Sequence, residues 1–351
     1  MTKLRSLRWL HLVMVVWLVG CTGSVGAGAS PPARYAACMV FVPTENKAYL
    51  FGGRYEGTFG TAYRNDLWTF DYATESWSLI RPHSRPPARG NAAMVYDPDH
   101  HQLILFGGIA KERLSDTWIY DIAENTWREV SPATSPPPRS DTGMVYDEEN
   151  HVAILFSGYG LEDSRDLYDD TWAYDPETDT WTEMLPASSP PIMYGQTMLY
   201  DSTDHQVLLW GGHASVYQNG VSTSHWYEDV LWYYNYPSNT WKTLEHTSKP
   251  PARYWHQAIY DAENDQIIVF GGNGAHGFLN DTWVTDMKSK TWVKINTGMA
   301  PSPRVNAAMT YDTTHNVVLL FGGLEEDFTD LRDTWVFEMS DTKGQWTEIT
   351  P

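Results

Sequence analysis

The sequence predicts an all-β protein made of six repeated units, each with four short antiparallel strands. Two observations indicate this fold class. An apolar–aromatic–small–small motif recurs six times, on average 54 residues apart between Gly52 and Gly322. Tryptophan occurs 17 times, and twelve of these residues fall into two columns placed by that motif. Such repeats are typical of arrays in which one unit alone cannot bury its apolar surface.

The recurring motif marks the end of the second strand in each unit. Its apolar and aromatic residues suit a buried strand. The small pair permits positive φ or close backbone approach where that strand ends. The six copies are Leu50–Gly53, Leu105–Gly108, Leu155–Gly158, Leu209–Gly212, Val269–Gly272 and Leu320–Gly323.

Two tryptophans follow each small pair and predict the third and fourth strands. The first belongs to an Asp-x-Trp element, and the second comes nine residues later in five units and eleven later in the last. The fourth unit has one extra residue between Asp229 and Trp232. We expect the rings to fill the wedge between neighbouring units. The second tryptophans are Trp77, Trp127, Trp181, Trp241, Trp292 and Trp346.

A proline-containing segment, usually ending in arginine, precedes each first strand, which usually ends in Tyr-Asp, as in Pro87–Arg89 with Met94–Asp97. This order resembles the kelch repeat over residues 31–351. The resemblance implies a six-bladed β-propeller with four antiparallel strands per blade. We expect each blade to supply all of its own strands. The blades are approximately 31–80, 81–130, 131–185, 186–245, 246–296 and 297–351.

Residues 1–20 are typical of a signal peptide. Lys3, Arg5 and Arg8 precede the apolar run Leu10–Val19, which is too short to span a bilayer comfortably. Leu18–Cys21 resembles the bacterial lipobox, which implies diacylation of Cys21 and a flexible tether over 21–30. Ordinary cleavage after residue 29 is the alternative. We therefore expect an exported cell-envelope lipoprotein, periplasmic or on the cell surface, anchored to a membrane at Cys21.

The net charge excludes one class of partner, and the cysteine count bears on disulfide bonding. The formal charge of −20 repels nucleic acid, so we expect no nucleic-acid partner. The chain has two cysteines, and lipidation of Cys21 leaves Cys38 without a disulfide partner, as a small buried side chain. We expect neither a cofactor nor a metal site.

Strand directions place the arginine before each first strand and the glycines after each second strand on one face of the ring, here called the arginine face. Its segments vary in length, whereas the turns of the opposite, far face are short, so we expect any site on the arginine face. The arginines form either a ring of cations for a carboxylate or phosphate, or pairs with the Asp-x-Trp aspartates. The column is Arg34, Arg89, Arg139, Met193, Arg253 and Arg304.

Residues that break the repeat just after this column are further binding candidates. Their rings and carboxamides suit a polar ligand with an apolar face, such as a sugar. The alternative is that several of them point into blade interfaces. They are Asn91, Asp141, Tyr194, Tyr254, Trp255, His256 and Asn306.

Three inserts also break the repeat. The longest, His213–Glu228, is interpreted as a lid or as a surface loop. Acidic inserts in blades three and six offer oxygen ligands for Ca²⁺, although solvated acidity is the simpler interpretation. Histidines at the far turns lie too far apart in a ring to share a metal. The acidic residues include Glu162, Asp163, Asp166, Glu325, Glu326, Asp327 and Asp330.

Three functions stay open, and the first is a protein- or glycan-binding module, as most kelch propellers are. The second is a carbohydrate-active enzyme, because the chain is broadly similar to periplasmic kelch sugar isomerases. Arg253, His256 and Asp141 would then be an anion clamp and an acid–base pair. The third is an envelope-assembly scaffold. The galactose-oxidase propeller is also similar, but only Arg253–His256 matches its copper-histidine element, so copper oxidation is not expected. We favour the binding module over an enzyme.

Overall fold

The computed structural model describes residues 30–58, 60–160, 167–218, 221–340 and 343–349. The predicted signal peptide, Cys21 and the tether up to residue 29 lie outside these residues, as do Glu162, Asp163 and Asp166. Strands and turns make up the described part of the chain. It contains no helix with the length and apolar character needed to cross a membrane.

Six four-stranded antiparallel sheets account for most of the described residues. The inner strands are Cys38–Val42, Ala93–Asp97, Gly143–Asp147, Thr197–Asp201, Gln257–Asp261 and Ala308–Asp312. The second strands are Lys47–Phe51, Gln102–Phe106, Val152–Tyr159, Gln206–Trp210, Gln266–Phe270 and Val317–Leu324. The third strands are Leu67–Asp71, Thr117–Asp121, Leu167–Asp175, Leu231–Asn235, Thr282–Asp286 and Asp330–Ser340. The outer strands are Ser76–Ile80, Thr126–Val130, Thr180–Met184, Thr240–Leu244, Thr291–Ile295 and Lys343–Ile349.

Short turns on the far face join the first two strands of each sheet, and an aspartate closes most of them. In blade two the Asp97 carboxylate accepts hydrogen bonds from the backbone N–H groups of Asp99 and His100, at 3.0 and 3.3 Å. This side-chain-to-backbone bonding is the reason that the Tyr-Asp strand end predicts a turn. The equivalent buried aspartates are Asp147, Asp201, Asp261 and Asp312.

The six inner strands contact one another in cyclic order, and the first also contacts the last. The sheets therefore form a closed ring, a six-bladed β-propeller, and the predicted fold class is confirmed. All strands of a blade come from one stretch of chain, as expected. The Gly323 N–H donates to Arg34 O across the joint between blades six and one, at 2.9 Å.

The second tryptophan of a blade packs against the preceding blade. In four blades its indole N–H donates to a threonine on the third strand of that preceding blade, at 2.9–3.0 Å. Blade one has Leu67 at the threonine position, and the buried Trp127 N–H that packs with Leu67 finds no acceptor in the described part of the chain. The tryptophans therefore fill the wedges, and most of them also link the blades.

Three smaller sheets stand on the arginine face, and the sequence did not predict them. The long blade-four insert, interpreted from the sequence as a lid or a surface loop, is a β-hairpin formed by His213–Gln218 and Val221–Tyr227. Its first strand pairs with Met193–Tyr194. The other two sheets consist of Arg54–Gly57 with Gly60–Tyr63 in blade one, and of Arg253–Tyr254, Asn273–Gly274 and Gly277–Phe278 in blade five.

Candidate binding face

The five arginines of the column are buried, with 0–1% of each residue exposed. Each guanidinium binds both carboxylate oxygens of the Asp-x-Trp aspartate in its own blade, at 2.6–3.1 Å. The tryptophan of the same element donates to that carboxylate as well, at 2.6–2.7 Å. Burial raises the pKa of Asp66, but the hydrogen bonds and charge of Arg34 outweigh it and hold that pKa below its usual range.

These contacts agree with the second of the two alternatives, arginine–aspartate pairs, and not with an open ring of cations. Nη1 of each arginine also donates to the carbonyl of the first small residue of the recurring motif, at 2.7–3.0 Å. Their Nε atoms donate to a carbonyl two residues earlier. With their donors occupied inside the protein, these side chains do not reach a ligand. The residues concerned are Arg34, Arg89, Arg139, Arg253 and Arg304.

Blade four lacks the whole arginine–aspartate–tryptophan unit. Met193 stands in the arginine column, and the extra residue before Trp232 displaces Asp229 from the usual spacing. The buried Trp232 N–H has no hydrogen-bond acceptor among the residues that the structure describes, and Asp229 instead lies 3.9 Å from Lys249 Nζ. The two irregularities seen in the sequence are therefore one structural change.

A circle of six backbone hydrogen bonds surrounds the channel mouth on the arginine face. Each N–H donates to the carbonyl of the equivalent residue in the preceding blade, at 2.7–3.2 Å. All six residues have positive φ, between 51° and 68°, which is rare for a bulky side chain such as tryptophan. The circle contains four of the predicted binding residues and consists of Ala36, Asn91, Asp141, Gly195, Trp255 and Asn306.

Asp141 is the centre of a hydrogen-bond network at this mouth. Its carboxylate accepts from Asn91 Nδ2 at 2.7 Å, from Trp255 Nε1 at 3.0 Å and from the Ser140 hydroxyl at 2.8 Å. The Trp255 indole reaches this carboxylate from two blades away and lies against Gly195, where a Cβ would come within 2.7 Å of the ring. Burial raises the pKa of Asp141, while the Ser140 hydrogen bond and the charge of Arg54 lower it in part.

Aromatic rings from blades three, four and five form one contiguous group beside Trp255, here called the aromatic cluster. Neighbouring ring centroids are 4.5–6.1 Å apart. His213 Nδ1 is hydrogen-bonded to the Tyr194 hydroxyl at 2.8 Å, and Asn273 Nδ2 donates to the Tyr254 hydroxyl at 3.0 Å. The members are Tyr159, Tyr194, His213, Tyr227, Tyr254 and Trp255. All three predicted tyrosine and tryptophan residues, Tyr194, Tyr254 and Trp255, therefore come together with rings supplied by the hairpin.

His256 does not belong to this cluster, although the sequence analysis grouped it with Trp255. It is 2% exposed and lies between blades four and five, edge-on to Trp210 at 4.8 Å. Neither ring nitrogen has a hydrogen-bond partner within the described ranges of the chain. Burial and the nearby Arg253 lower its pKa to about 3, so the ring is neutral. A buried neutral histidine cannot serve as a ligand contact or as an acid–base group for a bound sugar.

Two arginines that the sequence analysis missed lie at the channel mouth. Arg54 donates to Asn91 Oδ1 at 3.1 Å and lies over the Tyr35 ring, 5.1 Å from its centroid. Arg113 donates to the Ser140 hydroxyl at 3.3 Å and lies over the Tyr159 ring at 4.2 Å. Both follow a glycine pair within a few residues, so position in the repeat was the signal that pointed to them.

Exposed apolar side chains also concentrate on the arginine face. Leu185, Val216, Met299 and Phe328 are 39–75% exposed and belong to segments on that side. Behind the mouth the inner strands line a channel of about 640 Å³ that extends to tyrosines of the far turns. Within the described residues, no three histidine, cysteine, aspartate or glutamate side chains are grouped so as to hold a metal.

The ring, its repeated motif and its buried arginine–aspartate pairs define a kelch-type β-propeller. The family model of the Attractin/LZTR1 beta-propeller matches residues 22–274, which is more than half of the chain. The chain belongs to this family.

Three relatives show shorter stretches of similarity. Dynein regulatory complex subunit 7 of Chlamydomonas reinhardtii is 47% identical over 77 residues, 21% of this chain and 6% of that protein. Adagio protein 3 of Arabidopsis thaliana is 33% identical over 112 residues, 31% of this chain and 18% of that protein. Adagio-like protein 1 of Oryza sativa subsp. japonica is 29% identical over 148 residues, 41% of this chain and 22% of that protein. The matched part is less than a quarter of each relative.

Proposed function

We propose that this propeller is a binding module that holds a protein partner on its arginine face. The observation that carries the proposal is the aromatic cluster, because segments that break the repeat in three blades converge there around the channel mouth. Clusters of tyrosine and tryptophan beside arginine are the composition that protein interfaces favour. One of the relatives is, by its name, a subunit of a regulatory complex.

Exposed apolar side chains give this face a second feature of an interface. Phe328 is 71% exposed and has φ of 66°, so the chain holds a large apolar side chain in solvent in a costly backbone conformation. Exposed hydrophobic groups and strained residues both concentrate at binding surfaces. The far face presents short turns of similar length in every blade.

Pull-down with matched variants tests the proposal. Wild-type protein, an arginine-face variant (His213→Ala with Tyr254→Ala) and a far-face control (His100→Ala with Tyr72→Ala) would be crosslinked in cell extract and analysed by quantitative mass spectrometry. We expect a partner that wild type and control capture equally and that the arginine-face variant loses about tenfold. If the arginine-face variant captures the partner as well as wild type does, and its circular dichroism is unchanged, the partner binds elsewhere.

The sugar-isomerase alternative loses its proposed machinery. Arg253 is 0% exposed and bound to Asp281, and His256 is buried beside Trp210. Asp141 lies at the mouth, where three protein donors occupy its carboxylate. An anion clamp and acid–base pair need open, converging groups, so these three residues do not support that reaction. Glycan binding without catalysis is tested by a glycan array of wild type and Trp255→Ala. We expect no glycan that binds wild type and fails to bind Trp255→Ala.

We propose in addition that the chain is exported and anchored at Cys21. The support is the basic, apolar and small-residue order of the first 21 residues. Ser30, the first described residue, accepts a hydrogen bond from Arg332 of the arginine-face segment in blade six. Cys21→Ser should move the protein from the membrane pellet to the soluble fraction. Retention of Cys21→Ser in the pellet would refute the lipid anchor without affecting the binding proposal.

A further inference from the structure

We propose that Arg54 and Arg113 form a carboxylate-binding site at the channel mouth, and that its occupant is an acidic side chain on a segment of the partner protein. The inference rests on the proposed function and specifies the chemistry of the partner. The sequence suggested an anion site at the arginine column, which is buried. The proposed site instead uses two arginines from the segments after the glycine pairs.

The two guanidinium groups approach Asp141 through different intermediaries. Arg54 binds Asn91, whose amide donates to Asp141. Arg113 binds the Ser140 hydroxyl, which donates to the other oxygen of the same carboxylate. The network thus fixes two cations around one anion, and Asp141 alone does not balance their charge.

Both guanidinium groups retain unused donors. Nη2 of Arg54 and both Nη atoms of Arg113 have no hydrogen-bond partner among the residues that the structure describes, and neither arginine lies within 4.0 Å of a described carboxylate. Each is held instead against a tyrosine ring, Tyr35 or Tyr159. Stacking orients a planar guanidinium and leaves its edge free for two parallel hydrogen bonds to a carboxylate.

Local charge favours an anionic occupant even though the whole chain carries −20. The arginine-face segments of blades one and two hold six cations and two carboxylates outside the buried pairs. Asp141 and, from the blade-six segment, Asp330 also lie here, and Asp330 accepts a hydrogen bond from the Glu56 N–H at 2.7 Å. The six cations are Arg54, Arg64, Arg81, Arg85, Lys111 and Arg113, and the two carboxylates are Glu56 and Glu112.

The neighbouring surface defines the rest of the occupant. Tyr159 contacts Arg113 on one side and belongs to the aromatic cluster on the other. A partner segment that places a carboxylate on the arginines therefore brings its adjacent residues onto rings. We infer a segment in which an aspartate or glutamate stands beside an apolar or aromatic residue.

Selection from a random dodecapeptide display library tests this inference without knowledge of the partner. The purified full chain would be compared with Arg54→Gln/Arg113→Gln and with Arg81→Gln/Arg85→Gln, a control with the same change in charge on the same face. We expect wild type and control to enrich peptides with an acidic residue next to an aromatic one, and the Arg54/Arg113 variant to lose that enrichment. Arg113→Lys keeps the positive charge but loses the two parallel N–H donors of the guanidinium, so this variant should retain part of the enrichment.

A selected peptide then gives the quantitative test. Replacing its acidic residue by the corresponding amide should weaken binding to wild type about tenfold and leave binding to the Arg54→Gln/Arg113→Gln variant unchanged. Acidic enrichment that persists in that variant, or peptides without acidic residues, would overturn the carboxylate site while leaving the binding face in place. Selected peptides that bind the His213→Ala/Tyr254→Ala variant as tightly as wild type, and that do not compete with one another for wild type, would instead count against the binding face itself.

Discussion

At the scale of single residues, one side-chain type performs two tasks that the sequence does not separate. Five arginines in fixed repeat positions are buried and paired with aspartates, while Arg54 and Arg113 in variable segments keep donors that no described residue occupies. The repeat itself held a clue. Only the unit that loses its arginine, at Met193, also loses the spacing of its aspartate, at Asp229. The pairing was therefore predictable. For Arg54 and Arg113 the repeat marks only the variable segments that hold them, and it does not specify the contacts that place them at the channel mouth.

The buried pairs should be far more important for stability than exposed ones. Arg89→Ala leaves the mostly buried Asp116 carboxylate without its partner, and we expect a loss of about 3–5 kcal/mol in the free energy of unfolding. Arg128→Ala breaks the Arg128–Asp179 pair, which is 49% and 34% exposed, and should cost about 1 kcal/mol or less. Urea unfolding monitored by tryptophan fluorescence measures both. Equal effects would mean that the arginine column is not structural.

His256 should make the protein sensitive to acid. Its pKa is about 3 in the folded state and about 6.5 when unfolded. The unfolded state therefore binds the proton first, and stability falls as the pH drops below about 6.5. Between pH 7 and 5 this amounts to about 2 kcal/mol, and His256→Leu should lose less stability over that interval than wild type.

His151→Leu is the control for this pH dependence. His151 is exposed, and its hydrogen bond to Asp99 raises its pKa, so its contribution to stability grows as the pH falls through that region. The variant should show the opposite sign from His256→Leu in the change of unfolding midpoint between pH 7 and 5. A pH dependence unchanged by His256→Leu would contradict a buried neutral ring.

At the scale of elements, the second glycine of each pair lies close to the residues that precede the first strand of its own blade. Gly108 has φ of 96°, and a Cβ there would lie 2.8 Å from the Ala92 Cβ and 2.9 Å from Gly90 O. Gly298 has φ of 68° but nothing within 4 Å of the corresponding position. The two positions separate the cost of backbone strain from the cost of close packing. The sequence predicted this close approach from the motif, but it did not predict the short strands that follow.

Gly108→Ala should therefore destabilise the propeller by roughly 3 kcal/mol, because strain and steric overlap add. Gly298→Ala should cost roughly 1 kcal/mol from strain alone. Thermal unfolding followed by circular dichroism compares the two variants with wild type. A Gly108→Ala protein as stable as Gly298→Ala would show that the residues around Gly108 move to accept a Cβ without cost.

At the scale of the whole molecule, the joint that closes the ring has the same chemistry as other joints. Trp77 donates to Thr334 across blades one and six, as Trp241 donates to Thr171 across blades four and three. Thr334→Val and Thr171→Val should each cost about 1–3 kcal/mol, because each leaves a buried indole N–H without an acceptor. A much larger loss for Thr334→Val in urea unfolding would mean that the closing joint is the weak point of the ring.

The face that meets the partner is the central claim, and site-specific photo-crosslinking tests it most directly. A benzophenone amino acid would replace Tyr254 in the aromatic cluster, or Thr74 at an exposed far-face turn, and irradiated cells would be examined for covalent adducts. We predict a discrete adduct from position 254 that Arg54→Gln/Arg113→Gln weakens, and none from position 74. Adducts at position 74 with none at 254 would contradict binding on the arginine face.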